Sequence, residues 1–195
     1  MTDEFGPLPR SLPATERGGD HVTADPGPAP IPQGSLELLH TPVARELLAS
    51  NIHARLAYTA KDGTPRIVPT WFQWTNGDVV MPTYIEAPHI PAPGARRLAA
   101  LRARPDVAIS IDTDTEPPQA LLIRGKAQIT EVDGVDPDYA ASARQYLGEE
   151  AARGLLDMVD QPGTRMARIT VRPTWVGLLD FAGGRLPGVM ASGQG

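Results

Sequence analysis

Five residues suggest a shared chemistry: Arg66, Thr70, Thr83, Arg96 and Arg97. Guanidinium groups bind phosphate through paired N–H donors, and a nearby hydroxyl can complete such a cradle. Arg66 and Thr70 lie four residues apart in a run rich in β-branched and aromatic side chains, so strand alternation points both to one face. Thr83 closes the next apolar run. Arg96 and Arg97 fall in the first turn of a helical run, ARRLAALRARP, opened by Gly94. Free N–H groups at a helix N-terminus add to an anion site. The same arginines are also what a solvated helix face would carry, and spacing does not separate the two.

Other chemistries find little support. The chain of 195 residues has no cysteine, which removes disulfides, thiolate nucleophiles and Cys-ligated metals. Its four histidines, His21, His40, His53 and His89, show no metal-ligand spacing. His89, in the proline-rich loop YIEAPHIPAP, could touch a substrate or ligate a haem; the bland alternative is an ordinary loop histidine. No Ser-His-Asp, Walker or dinucleotide-glycine pattern is present. The net charge of -5 argues against non-specific nucleic-acid binding, which needs a basic footprint. Glu149, Glu150 and the acids of TDTDTE read as solvated surface. Tyr58, Trp71 and Trp74 read as core or interface aromatics. With no apolar run of membrane-spanning length and no basic-then-apolar N-terminus, the expectation is a cytoplasmic protein.

The elements that must position the arginines are mostly strands. His53 to Thr83 reads as a three-strand meander: Ala54 to Ala60, Arg66 to Trp74 and Asp78 to Thr83, joined at Asp62-Gly63 and Asn76-Gly77. Both dipeptides suit tight hairpins. Ahead of it, Thr41 caps a helix to Ser50 with Pro42 in its first turn, preceded by a short helical turn after Ser35. Downstream, Val107 to Asp112 and Ala120 to Val132 are strands. Gly125 inside the second predicts a bulge or a close backbone approach. Pro137 to Tyr146 and Glu149 to Val159 are short helices. Met166 to Arg172 and Trp175 to Phe181 are two last strands bent apart by Pro173. The fold class is mainly β with flanking helices (α+β): an antiparallel split β-barrel of six to seven strands, closed so as to remove its edges. The domain reading is a disordered Pro/Gly-rich arm at 1–34, the barrel at 35–182 and a flexible tail at 183–195.

Three segments, GTPRIVPTWFQWTNGDVVMPT, GARRLAALRARPDVAISID and LLIRGKAQI, resemble the pyridoxamine 5′-phosphate oxidase-like family of flavin-binding split barrels. The resemblance runs from Leu36 to Phe181. It implies a homodimer with FMN, or the deazaflavin coenzyme F420, in a groove at the subunit interface. It further implies that Arg66, Val68, Pro69, Thr70 and Trp71 run beside the ring and ribityl phosphate. Thr83, Arg96 and Arg97 match the phosphate segment. Gln119 is similar to a polar cofactor contact of some members, and Trp175 and Arg185 to residues that close the site from the other subunit. Where many members have Ser-Arg-Lys or Ser-x-Lys, this chain has Gly94-Ala95-Arg96-Arg97, without the hydroxyl and with Arg for Lys. The substrate-phosphate signature of the true vitamin B6 oxidases is absent. Val68, Pro69, Trp71, Ile109 and Ile111 are expected as apolar walls for a flavin.

The functional expectation is an oxidoreductase that uses FMN or F420 to move a hydride to or from a small organic substrate. The alternatives are a non-catalytic flavin- or haem-binding carrier or sensor, and an interaction barrel with no ligand.

Overall fold

Asn76 and Gly77 both adopt positive φ, 55° and 81°, the conformation of a two-residue hairpin turn whose twist matches its strands. They join β3 (Gln73–Thr75) to β4 (Asp78–Glu86). At the other hairpin, Gly63 has φ 83°, and the Asp62 carboxylate accepts from the Thr64 amide and hydroxyl at 3.0 and 2.6 Å. This turn joins β1 (Ala54–Thr59) to β2 (Pro65–Thr70). The computed structural model describes residues 30–88 and 95–185. The arm through residue 29, the segment from His89 to Gly94 and the tail from residue 186 lie outside the described residues.

The remaining elements are α1 (Pro42–Ala49), α2 (Ala95–Ala103), β5 (Asp106–Asp112), β6 (Gln119–Asp133), α3 (Pro137–Leu147), α4 (Glu149–Val159) and β7 (Arg165–Asp180), with a 3-10 turn at Leu36–His40. Thr41 caps α1 by accepting from the Ala44 amide at 3.4 Å, and Pro42 occupies the first turn. All strands pair antiparallel in one sheet of order β2-β1-β5-β6-β7-β4-β3.

That order corrects the meander. The run Arg66 to Trp74 is not one strand; it breaks at Trp71-Phe72 into β2 and β3, which form opposite edges of the sheet. The cause is two adjacent aromatics that must both find cover. Phe72 is fully buried in the main core, while Trp71 stacks on Tyr146 of α3, with centroids 5.4 Å and planes 13° apart. Strand alternation would send them to opposite faces, and the corner resolves this. Thr70 and Gln73 are three residues apart, so the two edges approach within about 11 Å there. The sheet is thus rolled, but β2 and β3 are not paired, and the closure expected from the sequence does not occur.

The two last predicted strands are one, β7, running through Pro173. Pairing with β4 ends at Val171 opposite Val79, so the proline's missing N–H falls where one side of β7 is free of a partner strand. Opposite it the β6–β7 register shifts between Arg124 and Gly125. A Cβ on Gly125 would lie 2.4 Å from the Arg172 carbonyl oxygen. Gly125→Ala is therefore expected to cost about 3 kcal/mol, the upper range for overpacking, read as a lower urea midpoint at unchanged slope.

Alternation gives the sheet two faces. Val68, Leu56, Ile109, Ile123 and Val176 form one cross-strand row that points into the main core. Ile109 and Ile111 are 2% and 0% exposed there, so they fill the barrel interior and are not the groove walls that were expected. The opposite row is Ile67, Ala57, Ala108, Arg124 and Trp175. Ile67 in it is 66% exposed. Leu98 and Leu101 of α2, and Leu47 and Leu48 of α1, join the main core.

A second cluster, with Tyr139, Val159 and Met166 at its centre and Trp71 and Tyr84 against it, packs α3 and α4 onto β4 and β7. Burial pushes the phenols of Tyr84 and Tyr139 up, and that of Tyr146 to about 12. Folded-state values raised above the unfolded value near 10 mean that the native chain holds the protons longer. The stability these phenols give is complete below about pH 10. It is lost as pH rises through the folded Tyr146 value of about 12, so alkaline unfolding followed by circular dichroism should shift to higher pH in Tyr146→Phe.

Candidate functional site

Tyr58 on β1 faces Arg66 on β2 across the ladder. Arg66 turns back onto its own hairpin: Nη2 donates to Asp62 Oδ2 at 2.9 Å, and Nη1 to the Thr64 hydroxyl and the Pro65 carbonyl. The pair is exposed and adds little stability; its effect is to fix where the guanidinium sits. Facing the hairpin is α2. It forms because its nine residues are good helix formers, and it docks because Leu98 and Leu101 are buried. Pro105 follows its end.

Docking α2 this way sends Arg96 and Arg97 in different directions. Arg96 is exposed, whereas Arg97 is partly buried and its Nη2 donates to Thr83 Oγ1 at 2.7 Å. Thr83 stands in the inward-facing row of β4, between Val79 and Met81 on one side and Ile85 on the other. Burial lowers the Arg97 pKa, and Tyr58 partly opposes that. The Arg97 Nε is buried without a hydrogen-bond partner. Among the described residues no carboxylate lies within 4.0 Å of either Arg96 or Arg97.

Between hairpin and helix opens a cleft of about 1120 Å³, lined by Tyr58, Lys61, Asp62, Arg66, Arg96, Arg104 and by Ala99, Ala100 and Ala103 of α2. Four of these side chains are cationic and one, Asp62, is anionic, in a chain whose net charge is -5. A concentrated positive field in a cleft of an acidic protein attracts anions selectively to that place.

β2 divides this cleft from a second cavity. Residue 66 lines the cleft, whereas residue 67 lines a pocket of about 500 Å³ with Arg55, Asp112, Gln119, Leu179 and Phe181. Arg55 Nη1 meets Asp112 Oδ1 at 2.5 Å, and Gln119 Nε2 donates to Asp180 Oδ1 at 3.2 Å. The pocket is otherwise mostly apolar, and it opens on the outward face of the sheet.

The residues singled out in the sequence thus fall into separate groups. Arg66 and Arg96 share the cleft, and Arg97 is joined to Thr83 beside it. Val68 and Thr70 follow Arg66 on the inward face, Val68 packing on the core and Thr70 Oγ1 bonding the Trp71 carbonyl at 3.2 Å. Pro69 is on the outward face and exposed. Gln119 lines the second pocket. Trp71 lies in the aromatic cluster under α3. Trp175 is on the outward face, with the Arg124 guanidinium 4.1 Å from its ring centroid. Arg185, similarly singled out, bonds the Ile31 carbonyl.

Residues 31–34, read as part of the arm, run along β7. Gln33 exchanges two hydrogen bonds with the Leu178 backbone, at 2.7 and 2.8 Å, and the Gly34 amide donates to Val176. Tyr58, Lys61 and Arg104 were missed as site residues. Tyr58 reads as core because it sits in an apolar run, and the turn residue Lys61 meets α2 only once the strand order is known.

No family model matches the chain, and no curated protein does. Solved structures do. A conserved hypothetical protein from Mycobacterium tuberculosis is 19% identical over 73% of this chain and 85% of that one, with a TM-score of 0.50. An F420 reductase is 22% identical over 68% of this chain and 94% of its own, at 0.47. A putative pyridoxamine 5′-phosphate oxidase from Listeria innocua is 17% identical over 69% and 94%, at 0.46. At 19% identity and a TM-score of 0.50, the likeness to the first of these is one of fold. The chain has the rolled antiparallel sheet that its sequence resemblance implied.

Proposed function

We propose that the chain is an oxidoreductase that binds FMN or the deazaflavin F420 along β2. The observation that carries this is the position of Arg97: a partly buried guanidinium, hydrogen-bonded to Thr83, with its Nε unpartnered, near Tyr58 of the cationic cleft and next in sequence to Arg96, which lines it. An anion there would meet charged donors already in place. The residues fit such a cofactor. Arg66, Arg96, Arg97 and Thr83 would hold its phosphate, with Arg forming paired bonds. Among the described residues β2 is an edge strand, paired only with β1, so its free backbone groups are available to the polar rim of a planar ring. Ile67, Leu179 and Phe181 of the second pocket offer apolar cover, and Gln119 a hydrogen-bonding amide.

Bound there, the cofactor would supply hydride transfer. The chain's own part is to orient the ring, neutralise the phosphate and keep water off one face. The test is turnover: oxidation of the reduced cofactor against quinone, nitro and enone acceptors. Rates well above the free-cofactor background support an enzyme; binding without turnover would make the protein a carrier.

The outward face bears on assembly. Ile67, Pro69, Ala57, Ala108, Leu122 and Leu179 lie on it, and no other described element covers it where β2, β1 and β5 meet. A homodimer through this face would enclose the second pocket and place a partner subunit over the ring. Ile67→Lys is then expected to convert a dimer to a monomer in sedimentation at micromolar concentration. A wild-type monomer at that concentration would count against the dimer.

A further inference from the structure

β7 outruns its neighbour on one side. It pairs with β6 along its length, but its pairing with β4 ends at Val171. From there to Asp180 the other side of β7 faces no strand among the described residues. An uncovered strand edge is a template for pairing with another chain.

Short pieces of this chain fill the edge instead. The groups they bond fall on alternate residues, as strand geometry requires: Val176, Leu178 and Asp180. At Leu178 the occupant is a side chain. Gln33 Nε2 donates to the Leu178 carbonyl at 2.7 Å, and the Leu178 amide donates to Gln33 Oε1 at 2.8 Å. A carboxamide carries both an acceptor and a donor, so Gln33 supplies the two bonds that an opposed residue exchanges in an antiparallel pair. The Gly34 amide donates to the Val176 carbonyl at 2.7 Å. Its backbone lies so close that a Cβ on Gly34 would stand 2.9 Å from Trp175 Nε1. At Asp180 the backbone of Arg185 exchanges two bonds, at 2.8 and 2.9 Å, and the Arg185 side chain holds the Ile31 carbonyl.

This occupant does not pass the ladder on. Pro32 has no N–H to offer a further strand, and a turn follows at once, the Ser35 amide donating to the Pro32 carbonyl at 3.2 Å. Nor does burial hold it at its centre, since Pro32 and Gln33 are exposed. A few hydrogen bonds keep it on the edge.

We infer that residues 31–34 are a latch over a self-association edge: opened at Gln33, the 174–180 edge of β7 pairs with the same edge of a second copy of this chain. The partner follows from antiparallel geometry, because an edge laid against itself about a two-fold axis sets donors opposite acceptors. The latch is independent of the cofactor reading. It also differs from a dimer through the outward face, because the edge offers backbone groups and that face offers side chains.

The test uses the full chain carrying Ile67→Lys, so that association through the outward face does not contribute. Gln33→Ala removes both bonds to Leu178; Gln33 is exposed and outside the core, so the variant should fold. Amide hydrogen exchange at Leu178 should become at least ~10-fold faster, with Ile169, inside the β4–β7 ladder, unchanged. Sedimentation should show concentration-dependent association that the Ile67→Lys parent lacks. Adding Thr174→Lys, which puts a charge on the exposed edge, should suppress that association. Unchanged exchange at Leu178 would overturn the latch. Faster exchange without association, or association that Thr174→Lys leaves intact, would overturn the masked edge.

Discussion

Charge reversal at Arg96 and Arg97 together is expected to weaken cofactor binding by at least ~100-fold, about 2.7 kcal/mol, with the Arg97 change also lowering the unfolding midpoint. Each guanidinium–phosphate hydrogen bond contributes roughly 1.5–3 kcal/mol; reversal removes these and places carboxylates where the phosphate would sit. The single variants should differ. Arg96 is exposed, and Arg96→Glu acts through the ligand alone. Arg97 holds Thr83, so Arg97→Glu also disturbs β4 and should lower stability as well as affinity. Titration of each variant beside urea denaturation separates the two effects. An interaction barrel with no ligand would show no affinity to lose.

The second large effect concerns the scaffold. Arg168 on β7 reaches two carboxylates at the start of α3: Asp138, in close contact, and Asp136, at 3.6 Å. Asp136 is 1% exposed, and its Oδ2 has no hydrogen-bond partner. Its other oxygen caps α3 by accepting from the Asp138 amide at 2.8 Å. Arg168→Ala would leave a buried carboxylate with no counter-charge, which costs about 3–5 kcal/mol. Against a total of about 5–15 kcal/mol for an ordinary domain, that approaches unfolding. The Asp136→Asn background should recover a large part of the loss, because the capping oxygen survives while the charge does not. A loss unchanged by Asp136→Asn would mean that the arginine acts through packing.

What the sequence disclosed follows from how local each signal is. Asn76-Gly77 and Gly125 were readable because turn conformation and close approach depend on a few residues. The cap at Thr41 and the stop at Pro105 were readable for the same reason. The break at Trp71-Phe72 was not, since a strand-like run says nothing about two aromatics that need different shelters. The union of the last two strands through Pro173 depends on where β4 stops pairing, a fact that lies almost a hundred residues away. At the site, Arg66 and Arg96 could be grouped because they match a known pattern. Lys61, Tyr58 and Arg104 join them only through the β1–β5 pairing and the docking of α2. The tight link of Arg97 to Thr83 was legible as proximity in the pattern; that Arg97 would be partly buried, and Arg96 not, required the helix to be placed.

The proposed cofactor binding requires a phosphate held by guanidinium groups. Equilibrium titration of FMN and of the deazaflavin, each beside its dephosphorylated analogue, tests this directly. At least one phosphorylated form should bind with Kd below about 100 μM, and its analogue at least ~10-fold more weakly. Equal affinity with and without the phosphate, or no binding of either cofactor, would contradict it.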